Sequence, residues 1–465
     1  ELRILTDSGL PPSVVNRILE RFSRYLPLNS EPDNVLGDYI NLLHKLSPVY
    51  CFADESAVEN DVWSNLVDVF SMSQPLRARI LQDPDIFPLF AQDQNITGNP
   101  TDCITSIVEA IEPFEKNDSE IVAFLHRWKN RQLTRIGYLE LIFSPSLESI
   151  AQQLTSVCES IVGATVQYLL QRHENRWGIP TRSDGEKARF AVLALGKLGG
   201  REMSYSNYIE LMCIYDEEGK TDGARSQSNQ SFFESVAKDL DKILKAQVDG
   251  QAIYRVHYQS RRSNSDETLV IAADAASRHY DLAGRTWERQ SLVRARPVAG
   301  DIALGKQFLD RLANWIYRRY LSMAEITEIK ALKRRLEKLT QRAGDASFDV
   351  ITGHGGMRDV EFVIQFLQLL NGADLPEVRS SNTLKAMESL AHGGFLNDQE
   401  QTILSKNYRF LKNIEHRLQL SYGNQTHCLP RGGTERSSFI AQHAPQILTR
   451  DQQGSAPENR FEMVY

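Results

Sequence analysis

One stretch constrains the fold of this chain more than any other: Gly196-Lys197-Leu198-Gly199-Gly200, then the strand-like run Tyr208-Ile209-Glu210-Leu211-Met212-Cys213-Ile214-Tyr215-Asp216. Glycines let backbone N–H groups approach phosphate oxygens, and Lys197 adds a point charge. Alternate residues of a strand share a face, so an acid-x-acid pair just beyond such a turn can hold divalent cations against a triphosphate. Here the first acid position is Tyr208. Hard cations need carboxylate oxygens, so Tyr208 and Glu210 cannot bind metal as a pair, and Glu210 remains the one candidate catalytic and metal-binding acid.

Further blocks follow. Tyr254-Arg255-Val256-His257-Tyr258-Gln259-Ser260-Arg261-Arg262 reads as a strand with a basic end. Gly284-Arg285-Thr286-Trp287-Glu288-Arg289 and Val293-Arg294-Ala295-Arg296 gather guanidinium groups and a tryptophan, suited to gripping phosphate or an acidic surface. The plainer alternative pairs Glu288 with its arginine neighbours. Gly353-His354-Gly355-Gly356-Met357-Arg358-Asp359-Val360-Glu361-Phe362 reads as a glycine turn opening a helix, with Arg358, Glu361, Gln365 and Gln368 as a polar stripe. Its N-terminus with Arg358 suits an anion. An Arg–Glu pair on a capped core helix is the alternative.

In this order the blocks resemble the glutamine synthetase adenylyltransferase family, the bifunctional adenylylating and adenylyl-removing enzymes, over roughly residues 120 to 425. The family carries two halves of the DNA polymerase beta-like nucleotidyltransferase superfamily, with a motif like Gly-Lys-Leu-Gly-Gly-x-Glu-Leu-x-x-x-Ser-Asp-Ile-Asp-Leu. This chain keeps Gly196, Lys197, Leu198, Gly199, Gly200 and Glu202, and has Asn207, Tyr208 and Glu210 where Ser, Asp and Asp are expected. The third family acid lies in a Tyr-Arg-Val-Asp strand, where His257 stands here. The resemblance implies the adenylyl-removing N-terminal half, using Mg²⁺ and ATP or ADP, with Gly196, Lys197, Gly199, Gly200, Arg294, Arg296 and Arg358 as nucleotide-binding candidates. The implied partners are glutamine synthetase, a PII-type signal protein and a C-terminal transferase half that these residues do not contain.

The 465 residues suit two or three domains, and 41% hydrophobic content supports buried cores. A net charge of −7 argues against a general nucleic-acid binder. A local basic run, Arg127, Lys129, Arg131 and Arg135, reads either as a binding patch or as a solvated helix face. No run is long and apolar enough for a membrane span, and no signal-peptide pattern is present, so the cytoplasm fits. The absent methionine suggests a trimmed start. Five scattered cysteines, without Cys-x-x-Cys spacing, point away from a metal cluster or a disulfide framework. The sequons at Asn95, Asn117, Asn229 and Asn424 read as unmodified.

The expected fold is α+β and mostly helical: a polymerase beta-like nucleotidyltransferase domain flanked by N-terminal helices and a C-terminal helical bundle. Helical spacing dominates residues 1–175, with a loop-rich stretch at 82–103. Short strands at 188–195, 208–215, 252–258 and 268–272, with an amphipathic run Ser231 to Leu244, place an α/β unit within 176–305. A stripe of Leu321, Ala324, Ile329, Leu332, Leu336 and Leu339 opens a helical region over 306–465. Residues 217–229 read as a flap or a connector, and 451–465 as flexible.

Two functions fit. In one, this half has lost two-metal catalysis and acts in regulation or docking. In the other, it is an active transferase that recruits Asp216, Glu202 or Glu217 beside Glu210, although Asp216 stands about 20 Å along the strand.

Overall fold

The computed structural model describes residues 10–46, 61–91, 100–319 and 349–440, apart from isolated positions within them, and scattered positions between 323 and 334. The stripe expected from Leu321 to Leu339 and the segment 451–465 lie outside the described residues. As expected, the fold is α+β and mostly helical.

Five strands form the central sheet: β1 (Phe190–Leu195), β2 (Tyr208–Tyr215), β3 (Arg255–Tyr258), β4 (Val270–Ala272) and β5 (Arg296–Gly300). β2 runs antiparallel to β1, which pairs antiparallel with β5 on its other side. β3 and β4 both lie parallel to β2 along its free edge, β3 beside its first half and β4 beside its second. β5 was not foreseen: Arg296-Pro297-Val298-Ala299-Gly300 offers only a short apolar stretch, and its ladder shifts register between Pro297 and Ala299.

All six residues of β1 are buried, which requires cover on both faces. Period-two alternation sorts them. Phe190, Val192 and Ala194, with Leu211, Cys213 and Tyr215 of β2, join a core shared with helices Leu147–Trp177 and Asn229–Lys245 and with the N-terminal helices. Ala191, Leu193, Leu195, Met212 and Ile214 face helices Ala273–Ala283 and Ile302–Ile316. Ser228 caps helix Asn229–Lys245 by accepting from the Ser231 N–H, and Phe233 stacks on Phe190 at 5.3 Å.

A third core joins helices Met357–Asn371, Thr383–His392 and Asp398–Tyr422. Residues expected as loop between 82 and 91 instead form tight helical turns, Pro84–Ile86 and Pro88–Ala91, each started by a proline. The segment 217–229 is a held connector: Thr221 pairs with Pro180, and the Asn229 amide donates to the carbonyls of Thr181 and Glu217. The basic run on helix Asp118–Phe143 is neither one patch nor one solvated face. Arg127 and Arg131 grip Asp83, while Lys129 is buried, donates to the Ile253 carbonyl and sits 3.9 Å from the Tyr254 ring centre.

Candidate active site

The glycine turn links β1 to β2. Gly196 has φ +54°, a left-handed conformation that favours glycine, and a Cβ there would come 3.0 Å from a Glu210 carboxylate oxygen, which the side chain could yield. At Gly199 the limit is backbone: a Cβ would lie 1.9 Å from the Arg294 carbonyl and 2.7 Å from that of Ala194. At Gly200 it would meet the Arg294 guanidinium at 2.4 Å.

β2 and β3 bring the three acid positions together. Glu210 is the register partner of His257, and Tyr208 that of Arg255. Tyr208 is half exposed and donates its hydroxyl to Glu210 Oε1 at 3.1 Å. Burial, then the Glu210 charge, raises its pKa, so it remains a neutral donor. The donor set is therefore one phenol, one carboxylate and one imidazole. A hard cation meets a single carboxylate there, with one oxygen already engaged.

A cavity of about 330 Å³ opens beside Glu210, lined also by Gly196, Trp287, Arg294, Arg358 and Glu361. A larger one, about 660 Å³, lies elsewhere against Arg79, Lys245, Asp249 and Arg255, and does not include Glu210. Arg358 faces the smaller cavity, and no ion pair engages it among the described residues. Its helix, Met357–Asn371, starts at the foreseen glycine turn.

The other basic candidates are committed to protein carboxylates. Lys197 Nζ lies 2.5 Å from Glu415 Oε1, and Glu415 is fully buried. Arg294 joins Glu202 and, at 3.2 Å, Glu361. Arg296 pairs with Glu159 and donates to the carbonyls of Leu198 and Gly199. Read as a free point charge, Lys197 had to be open to solvent; the approach of helix Asp398–Tyr422 gives it a buried partner instead.

These pairs form one network. The Glu202 carboxylate accepts from the Thr383 N–H at 2.5 Å and lies 2.9 Å from the Tyr408 hydroxyl, which is also 3.0 Å from Glu361. Glu415 accepts from Lys197, Ser204, Lys412 and Gln419. Burial pushes its pKa up, but Lys197, Lys412 and His416 outweigh burial and hold it well below the usual carboxylate range. In Glu361 burial is likewise overcome, by Arg294, Lys197 and Lys412, and its pKa is lowered. The turn and the C-terminal helices are thus joined through buried, hydrogen-bonded charge.

The acids offered as substitutes lie elsewhere. Glu202 is enclosed by Arg294, Thr383 and Tyr408. Asp216 is beyond the far end of β2, paired with Arg189, and Glu217 accepts from Ser183. Glu288 caps its own helix by accepting from the Arg285 N–H at 2.7 Å, with His279 rather than an arginine beside it. Arg289 pairs with Glu325. Glu361 as a cavity carboxylate and Glu415 as the partner of Lys197 were not foreseen. A signal existed for the second: Glu415 falls within the apolar stripe of Leu411, Ile414 and Leu418, where an exposed acid does not belong.

Residues 63–311 match the model of the family described as Glutamate-ammonia ligase adenylyltransferase, and residues 318–455 match that of GlnD PII-uridylyltransferase. The chain is similar to proteins named Bifunctional glutamine synthetase adenylyltransferase/adenylyl-removing enzyme. One from Methylococcus capsulatus is 29% identical over 365 residues, 78% of this chain and 38% of the relative. One from Brucella suis is 30% identical over 78% of this chain and 37% of the relative. One from Pseudomonas putida is 32% identical over 69% and 33%. This chain therefore spans between 33% and 38% of those relatives' length.

Proposed function

This chain belongs to the glutamate-ammonia ligase adenylyltransferase family, and on that premise we propose that it is a nucleotidyltransferase-like half whose own two-metal chemistry is impaired and whose role is docking or regulation. The reading follows the relatives' names in taking glutamine synthetase as the protein regulated. The match to a PII-uridylyltransferase model supports a PII-type signal protein as a second partner. No helix among the described residues is long and apolar enough to cross a membrane, and a cytoplasmic setting is part of the proposal.

The observation that carries it is the donor set. Two-metal phosphoryl transfer uses carboxylates to fix cations that stabilise the attacking and leaving oxygens. Of the three positions for those acids, Tyr208 and His257 supply none, and Tyr208 ties up part of Glu210. Mg²⁺ does not fit this set. The 330 Å³ cavity with Arg358 keeps the shape of a site for an anionic group.

The test incubates the purified chain with adenylylated glutamine synthetase, inorganic phosphate and Mg²⁺. The expected result is no release of ADP above background. Phosphate-dependent ADP release that disappears in Glu210→Gln would refute the reading.

A further inference from the structure

Away from the acid positions, the chain folds back on itself so that Asp349 pairs through an antiparallel bridge with Cys428, and His427 lies beside both. The donor atoms of Asp349, His427 and Cys428 all fall within 4.8 Å of one another, the one such group of three among the described residues. From this geometry we propose a binding site for a zinc-like divalent cation, held by Asp349, His427 and Cys428 with a fourth position open to water.

The donors have the required chemistry and orientation. A thiolate, an imidazole and a carboxylate together suit a borderline-soft ion such as Zn²⁺, not the all-oxygen shells of Mg²⁺ or Ca²⁺. His427 Nδ1 lies 3.0 Å from the Gln425 carbonyl. Donation of the Nδ1 proton there leaves the lone pair on Nε2, toward Asp349, which is how ligating histidines are usually fixed. Nε2 is 3.5 Å from Asp349 Oδ2. That separation exceeds the ~2.7–2.9 Å of a charge-assisted hydrogen bond. It is close to the ~3.3–3.4 Å edge of a tetrahedron with metal bonds of ~2.0–2.1 Å.

The carboxylate is itself held. Asp349 is buried, and Oδ1 accepts from the N–H groups of Ile351 and Thr352 at 2.8 and 3.0 Å, while the Thr352 hydroxyl donates to Oδ2. Cys428 and His427 keep partial exposure, which supplies an entry path and the open position. Sequence spacing hid the site, since its ligands come from segments nearly 80 residues apart and only one is a cysteine. A bound ion would tie the turn that starts the Arg358 helix to the chain leaving helix Asp398–Tyr422.

The test strips the full chain with a chelator and titrates it with Co²⁺, then Zn²⁺. We expect a thiolate-to-cobalt charge-transfer band that saturates at a single equivalent and is erased by Zn²⁺. Cys428→Ser should abolish the band, and His427→Gln should weaken Co²⁺ binding beyond the ~10–100-fold typical of losing an outer-shell partner. Cys103→Ser should leave both unchanged. Circular dichroism checks the fold of each variant; should Cys428→Ser unfold, His427→Gln alone decides by whether affinity falls. No band in the folded chain, a band that survives Cys428→Ser, or unaltered affinity in His427→Gln would each overturn the site and leave only a histidine beside a carboxylate.

Discussion

Replacing Arg294 with methionine tests whether the glycine turn is held by buried charge. Arg294 has a side-chain exposure of 6% and serves two carboxylates, Glu202 at 5% and Glu361 at 19%. Without it, Glu202 keeps Thr383 and must share the Tyr408 hydroxyl with Glu361. One hydroxyl proton cannot satisfy two anions. Removing one partner of a buried ion pair costs about 3–5 kcal/mol, so Arg294→Met should lose that much stability near pH 7.

The pH dependence adds a second check. Arg294 holds the Glu361 pKa below its usual value, so that contribution is complete above the unfolded carboxylate range and is lost as pH falls through the folded value. In the variant, burial is opposed by Lys197 and Lys412 without Arg294, so the pKa rises and protonation relieves a charge that has lost its main partner. The deficit relative to the parent should therefore shrink from pH 7 to pH 5. Urea unfolding at both pH values measures it, with hydrogen exchange following helices Thr383–His392 and Asp398–Tyr422. A loss below about 1 kcal/mol, or a deficit equal at the two pH values, would show that the network is not what holds the turn.

Gly199→Ala should destabilise by upwards of about 2 kcal/mol, because the new Cβ meets two backbone carbonyls. Gly37→Ala, exposed on helix Pro32–Leu46 with nothing within 4 Å of its Cβ, should stabilise by about 0.5–1 kcal/mol, and thermal melts compare the two. Burial lowers the Lys129 pKa from 10.5 to about 7, so above about pH 7 the unfolded chain binds the extra proton and stability should rise with pH. Between about pH 7 and 8.5 the parent should gain up to about 1.4 kcal/mol per pH unit relative to Lys129→Met, and equal slopes would contradict this. The triple change Tyr208→Asp, Glu210→Asp, His257→Asp should create Mg²⁺-dependent ADP binding measurable by calorimetry; a folded variant with no gain would mean that the cavity no longer accepts a nucleotide.

Much of the sheet could be read from sequence because its signals are local. β1 and β2 are apolar runs bounded by turn residues, and the glycine turn fixes their connection. The pairing of Glu210 with His257 followed from motif order and strand alternation. β5 escaped because Pro297, Arg294 and Arg296 disguise its start; Arg296 is drawn in by the carbonyls of Leu198 and Gly199, which no local pattern reports. The partner of Lys197 was hidden for the same reason, since Glu415 lies 218 residues away in the chain. Charges on a glycine turn look free until the packing of distant helices is known.

The motif therefore divides physically. Gly199, Gly200, Glu202 and Arg294 are buried against one another or against the C-terminal helices, where substitution means steric conflict or an unpaired charge. Tyr208 and His257 are exposed where β2 and β3 run side by side, where a carboxylate can give way to a phenol or an imidazole with little cost to folding. If metal chemistry is lost, as proposed, the second set is free to change while folding still requires the first. Resemblance carried by the buried set reports the fold and the docking of its helices; the reaction has to be read from the exposed set, and there the donors are phenol, carboxylate and imidazole.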